Sequence, residues 1–175
     1  DESTDAYRLV HDQGDGLPGL VLDRYADWIV AEYYSLGMFR QADRIEAALS
    51  TFLPGVRFVR RASDYTQKME GFKVPPQPQP KTRIRENGIV FEVQPSGGYK
   101  TGFFCDQREN RLAAASFASG RRVLDLFGYT GGFALYAKKL GGAAEVTSVE
   151  LDPDASALAK KNANINQIQI RTVCV

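Results

Sequence analysis

A chain of 175 residues and 19.4 kDa with 43% hydrophobic and 25% charged residues has the make-up of one ordinary globular domain or two small ones, not of a fibrous or disordered chain. The mean hydropathy is −0.30 and no apolar run approaches the roughly 20 residues of a membrane-spanning helix; the opening DESTDAYRLV is acidic where a secretory signal is basic and then apolar; and two cysteines, Cys105 and Cys174, make neither a disulfide framework nor a zinc site, so a cytoplasmic protein without a metal is expected. The net charge of +1 is unevenly spread, at −6 over residues 1–56, +7 over 57–122 and zero over 123–175, and a cationic middle third suits either a polyanion or bulk solvent.

In chain order, Arg8 to Val10 is a short strand candidate, and Gly14 to Gly19 (GDGLPG) must turn. Leu20 to Arg24 and Trp28 to Tyr34 are β-rich and read as a hairpin about Tyr25-Ala26-Asp27. Arg40 to Leu53 is predicted helical, with Ala42, Ile45, Leu49 and Phe52 on one apolar face and Pro54-Gly55 as the stop. Val56 to Val59 reads as a further strand. Trp28 is expected in the core, and His11, the only histidine, in a structural role beside its turn. Four prolines in Lys73 to Pro80 enforce an extended, semi-rigid stretch, read as a linker between a small α+β domain (1–72) and a second domain (81–175).

Beyond it, Thr82 to Glu86 and Ile89 to Gln94 flank Asn87-Gly88, a strong hairpin signal, and Ser96-Gly97-Gly98 breaks the second strand. Asp106-x-x-Glu109 has the form of a capping box opening a helix. Arg122–Phe127, Glu145–Glu150 and Ile168–Val175 then alternate as strands with helices over Gly132–Leu140 and Pro153–Asn162, which implies a parallel sheet with helices on its faces. Asp152-Pro153 is an N-cap followed by proline at the first helical position.

The sharpest feature is VLDLFGYTGGFALYA, residues 123–137. A strand carrying Asp125 runs through a turn with Phe127, Gly128, Gly131 and Gly132 into a helix, and the next strand ends in Glu150. In parallel sheets ligands sit beyond the carboxyl ends of the strands, and glycines there let backbone approach a ligand. The pattern is not G-x-G-x-x-G, and it places a carboxylate where a pyrophosphate would lie. An acid ending the second strand suits two ribose hydroxyls, and Asp125 suits an ammonium group. Together they point to S-adenosylmethionine (SAM), against the alternative of a plain strand–turn–helix with a capping acid.

Gly98 to Arg111 (GYKTGFFCDQRENR), followed by VLDLFGYTGGFALYA and SVELD, resembles the class I methyltransferases that modify large-subunit ribosomal RNA, most closely the cytosine-5 branch; GDGLPGLVLDRY resembles their central domain. Tyr99 departs from the glutamine of the family's loop. The resemblance implies a Rossmann-like α/β fold with a partial parallel sheet preceded by the small α+β domain. It also implies SAM contacts from Lys100, Phe104, Asp106, Arg108, Asp125, Phe127, Gly128, Gly131 and Glu150. The base-binding motif and nucleophilic cysteine are expected beyond Val175, so no catalytic residue is assigned, and the chain is read as a truncated protein, inactive alone. Cys105 is the better placed cysteine, beside a helix start; Cys174, mid-strand, is expected in the core.

Ribosomal RNA is the expected partner, with Arg57, Arg60, Arg61, Lys81, Arg83 and Arg85 as phosphate contacts clustered around the linker. Lys100, Arg108 and Arg111 read either as solvated charges or as donors to phosphate or cofactor carboxylate. The competing functions are a SAM enzyme with another target, such as guanine N7 or a small molecule, and a non-enzymatic nucleotide- or RNA-binding module. A three-stranded partial sheet also leaves Val123–Phe127 as an apolar edge, through which self-association is expected unless the Thr82–Gln94 hairpin covers it.

Overall fold

The computed structural model describes residues 3–95 and 102–175, so the expected Ser96-Gly97-Gly98 break, Tyr99 and Lys100 lie outside the described residues. The chain divides into two compact units, Asp1–Ile84 with Val93–Cys105, and Arg85–Glu92 with Asp106–Val175.

In the first unit β1 (Ala6–His11), β2 (Leu20–Tyr25) and β3 (Trp28–Tyr33) form an antiparallel meander, and β4 (Arg57–Arg61) adds parallel to β3. The crossover consists of α1 (Leu36–Phe39) and α2 (Ala42–Phe52). The sequence reading missed α1 and α3 (Asp64–Glu70), each only one or two turns long. Their signals were Ser35 and Ser63, whose hydroxyls accept from the Met38 and Thr66 N–H groups as N-caps. On α2, Ala42, Ile45 and Leu49 face the core as expected, but Phe52 is 81% exposed and Leu53 packs in its place, because a 3.6-residue period reaches the same face at the eleventh residue after Ala42. Leu20, Leu22, Ile29, Ala31, Tyr33 and Phe72 make this core, with Phe39 stacked on Phe72 at 4.6 Å. Trp28 is buried beneath the Arg57 guanidinium. His11 shares a 3.1 Å contact with Arg8, which holds the buried Asp23 through two bonds of 2.8 and 3.1 Å. The proline-rich stretch lies along β4: Val74 packs on the core, its N–H donates to Gln67 Oε1, and Gln77 Oε1 accepts from the Arg60 N–H.

The hairpin β5 (Thr82–Glu86) and β6 (Ile89–Val93) turns at Asn87 and Gly88, both at positive φ as the Asn-Gly signal requires. In the second unit β7 (Arg122–Leu126), β8 (Glu145–Glu150) and β9 (Arg171–Cys174) form a parallel sheet in that order, joined by α5 (Gly132–Lys139) and α6 (Pro153–Ile165) and preceded by α4 (Arg108–Ala115). Several element boundaries differ from expectation, β9 among them, which begins at Arg171 and not at Ile168. A 3-10 turn over Cys105–Gln107 precedes α4, whose N-cap is Gln107 without a side-chain cap, so Asp106 is not the capping residue. Strand β7 stops at Leu126 because Phe127 takes φ +57°. Helix α6 continues to Ile165.

The core against α5 is built of small side chains, Ala118, Ala134, Ala137 and Ala143 with Val146 and Val123. Here Gly141 has no room for a Cβ, which would lie 2.4 Å from the Ala115 carbonyl oxygen. The alternation of β7 turns Val123 toward α5 and Leu124 and Leu126 the other way, where they are 62% and 56% exposed. One face of this strand is therefore bare, although its composition is that of a strand covered on both. Cys174 is likewise exposed, not core, its thiol 3.6 Å from the Leu151 carbonyl. Among the described residues no helix is long and apolar enough to cross a membrane, and no group of three or more His, Cys, Asp or Glu is placed to hold a metal ion.

Candidate functional site

The site forms where β7 and β8 end together. Between Leu126 and α5 the backbone turns through three left-handed residues, Phe127 (φ +57°), Tyr129 (φ +48°) and Gly131 (φ +84°). Only the last is glycine. Non-glycine residues in this region are strained and persist where neighbours fix them. Gly128 N–H donates to the Val149 carbonyl at 3.0 Å and Gly131 N–H to the Gly128 carbonyl at 2.8 Å.

Glu150 closes the turn from the β8 side. Its Oε2 accepts the Tyr129 N–H at 2.7 Å, and its Oε1 accepts the Leu151 and Asp152 N–H groups at 2.8 and 3.1 Å. A carboxylate offers roughly four acceptor positions, so one on Oε2 remains for a hydroxyl, and a second ligand bond displaces an amide from Oε1. Phe127, just before Gly128, and Leu151, just after Glu150, are 79% and 62% exposed and offer apolar surface beside the acid. Sequence reasoning missed Leu151; its signal was an apolar residue flanking the acid in SVELD.

Asp125 is directed inward. Its Oδ2 accepts the Ala134 N–H in the first turn of α5 at 3.2 Å. Burial pushes its pKa up, opposed by the bonds from Ala134 and the Ser148 side chain and reinforced by the charge of Glu150. The N-terminus of α5, ordinarily a phosphate site, thus already holds a carboxylate, and a second acid stands nearby. This pair of acceptors disfavours phosphate and fits a phosphate-free nucleoside carrying an ammonium group.

The glycines serve packing as much as ligand approach. A Cβ on Gly128 would fall 2.0 Å from Ser148 Oγ, one on Gly131 2.9 Å from Leu135 Cδ1, and one on Gly132 3.2 Å from Arg111 Cδ. Arg108 belongs to a buried group: its Nε lies 3.8 Å from Glu86 Oε2, while Arg111 donates to Glu86 Oε1 from Nε and Nη2 at 2.9 and 2.7 Å, and Tyr136 OH donates to the same oxygen at 2.8 Å. Burial and the Glu86 carboxylate raise the Tyr136 phenol pKa. Asp152 caps α6 through the Asp154 and Ala155 N–H groups, as expected. Of the expected contacts, Asp125, Phe127, Gly128, Gly131 and Glu150 are brought together. Asp106 is exposed, with the Gln107 amide on its Oδ2, and Phe104 belongs to the first unit. Lys100 lies outside the described residues.

The six cations fall into two sets. Arg57 pairs with Asp27, Arg60 with Asp43 and Glu46, and Arg61 with Glu32. Lys81, Arg83 and Arg85 are exposed, the two arginines alternating with buried Ile84 and Glu86 along β5.

Comparison with known proteins accords with this geometry. The chain is 44% identical over 170 residues to a ribosomal RNA large subunit methyltransferase I of Aeromonas hydrophila, covering 91% of this chain and 42% of that protein. It superposes on a crystal structure of a methyltransferase complexed with S-adenosylhomocysteine (SAH) with a TM-score of 0.83 at 30% identity, covering all of this chain and 46% of the other. A structure described as a SAM-dependent methyltransferase from Streptococcus mutans gives 0.82 at 29%, with 47% of it covered. The chain thus spans less than half the length of these relatives. Residues 64–174, which contain the whole strand–turn–helix site, match the model of the S-adenosylmethionine-dependent methyltransferases, and the chain belongs to that family.

Proposed function

We propose that this chain carries the cofactor site of a SAM-dependent methyltransferase whose substrate is large-subunit ribosomal RNA, with cytosine C5 as the methylated atom. The observation that carries the reading is the turn over residues 127–131 closed by Glu150, in a chain 44% identical to a ribosomal RNA methyltransferase. SAM supplies the methyl group when bound. Glu150 holds a ribose hydroxyl on its remaining acceptor position, Phe127 and Leu151 flank the adenine, and Asp125 sets the start of α5 and biases the site toward a cationic amino-acid end. Phe104, Asp106, Arg108 and Lys100 remain proposed contacts from the resemblance alone. Cys105 and Cys174 receive no catalytic role. A ribosomal RNA substrate implies a cytoplasmic protein, and we propose self-association through the edge strand β7, one face of which is bare.

Calorimetry with SAH tests the site. The parent chain is expected to bind SAH and not NAD, and Glu150→Ala to weaken SAH binding by roughly 1.5–3 kcal/mol, the scale of a hydrogen bond to a charged group. A parent chain that binds NAD as tightly as SAH, or a variant with unchanged SAH affinity, overturns the assignment.

A further inference from the structure

The turn at 127–131 holds two non-glycine residues in left-handed conformations, and Glu150 secures it from one side only. The opposite side is secured by α6. Asn162, fully buried, donates its Nδ2 to the carbonyl of Thr130, itself 4% exposed, at 3.2 Å. The Oδ1 of the same side chain accepts the Glu92 N–H of β6 at 2.8 Å. One helical turn on, Asn166 bonds the same strand in both directions: Oδ1 accepts the Val90 N–H at 3.0 Å and Nδ2 donates to the Val90 carbonyl at 2.6 Å. Two side-chain amides, one in the last turn of α6 and one at its C-cap, thus take the place of a neighbouring strand along β6. Only the first also reaches the glycine turn.

We propose that Asn162 is a positioning residue for the cofactor turn: its amide fixes the Thr130 carbonyl, and with it the left-handed residues on either side, while its carbonyl refers that position to the β5–β6 hairpin. Two features make this more than packing. The Thr130 carbonyl stands between Tyr129, whose N–H is held by Glu150, and Gly131, the residue before α5, so a shift there moves both flanks of the site. The hairpin approaches the turn by a second route as well, since Glu86 fixes Arg111 and the Arg111 stem lies against Gly132. The inference rests on the reading that this turn borders the cofactor, and deepens it by naming what holds the turn in shape before a ligand arrives.

The test uses the 175-residue chain. Asn162→Asp keeps the acceptor for the Glu92 N–H and sets a carboxylate oxygen against the Thr130 carbonyl. Asn166→Asp is the control, because it removes the Nδ2 bonds to the Val90 and Asn162 carbonyls and leaves the Asn162–Thr130 bond in place. Amide hydrogen exchange without cofactor is expected to accelerate more than about tenfold at Tyr129, Gly131 and Leu135 in N162D, with Val146 and Ser148 of β8 unchanged, and to leave the turn unchanged in N166D. Acidification below the carboxylate range lets the introduced carboxyl donate to Thr130, so the excess exchange relative to the parent is expected to vanish. The dissociation constant for SAH is expected to rise at least about fivefold in N162D and not in N166D, a differential a general loss of stability would not produce. Equal acceleration in both variants, or acceleration spread evenly over α6 and β8, overturns the proposal. If N162D does not fold, Asn162→Ser is read by the exchange pattern and the SAH dissociation constant, with no recovery expected on acidification. A turn loosened by N162D in a parent that does not bind SAH leaves the positioning role standing and removes the cofactor reading.

Discussion

Asp125 shows how one carboxylate is committed twice. It ends a strand where a ligand's ammonium group would be welcome, yet its oxygen is turned to the Ala134 N–H. Burial raises its pKa from the ordinary value of 3.8. The folded chain therefore holds this proton more tightly than the unfolded chain does. The stability this group contributes is present at low pH and is lost as pH rises from the unfolded value through the folded one. The Asp125→Asn amide does not titrate and is free of that loss, so the unfolding free energy of this variant minus that of the parent is expected to rise across the carboxylate range and level off above it. Urea unfolding between about pH 3 and pH 7 measures the difference, and a difference that is flat or falls with pH refutes the account. The pairing of Asp125 with Glu150 was legible because each acid ends a β-rich run. Arg111 and Asn162 were not, because their partners lie 25 and 32 residues away and no local period marks a side chain for such a contact.

At the scale of elements, the long periodic segments were legible and the short ones were not. The β-α-β alternation of the second unit was read with its order, and the Asn87-Gly88 hairpin followed from turn chemistry. Helices α1 and α3 are too short for a period to declare itself. The exposure of Phe52 is a lesson in phase: at 3.6 residues per turn, a residue ten positions on lies about 80° off the starting face, and one eleven positions on only about 20° off it. Strand β5 offers its alternation to a partner, with Arg83 and Arg85 outward and Ile84 and Glu86 inward, and Lys81 just ahead of it. The β5 cations are the more exposed set, whereas Arg60 and Arg61 of β4 lie partly covered against carboxylates, so we expect β5 to dominate any phosphate contact. Replacing Lys81, Arg83 and Arg85 together by glutamine should reduce the slope of log affinity for single-stranded ribosomal RNA against log salt by about 2, at about 0.7 per contact. An unchanged slope removes β5 from the interface.

For the whole molecule, the decisive feature is the unequal treatment of its strands. Parallel sheets are normally covered on both faces, and here Leu124 and Leu126 stand in solvent on a strand that has one partner among the described residues. Light scattering at micromolar concentration is expected to report a mass above 19.4 kDa, with Leu124→Ser/Leu126→Ser returning it to the monomer value. A monodisperse monomer for the parent refutes this. Strand β6 has the opposite fate. Asn162 and Asn166 occupy its backbone donors and acceptor with amide groups that end in a helix, and so cannot pass the hydrogen-bonding pattern on to another chain. A strand bonded by a strand presents a fresh template; a strand bonded by asparagine side chains does not. Strand β6 is in this sense a terminated edge, closed by side-chain amides where another strand would pair, and aggregation of this chain should therefore begin at β7 and not at β6.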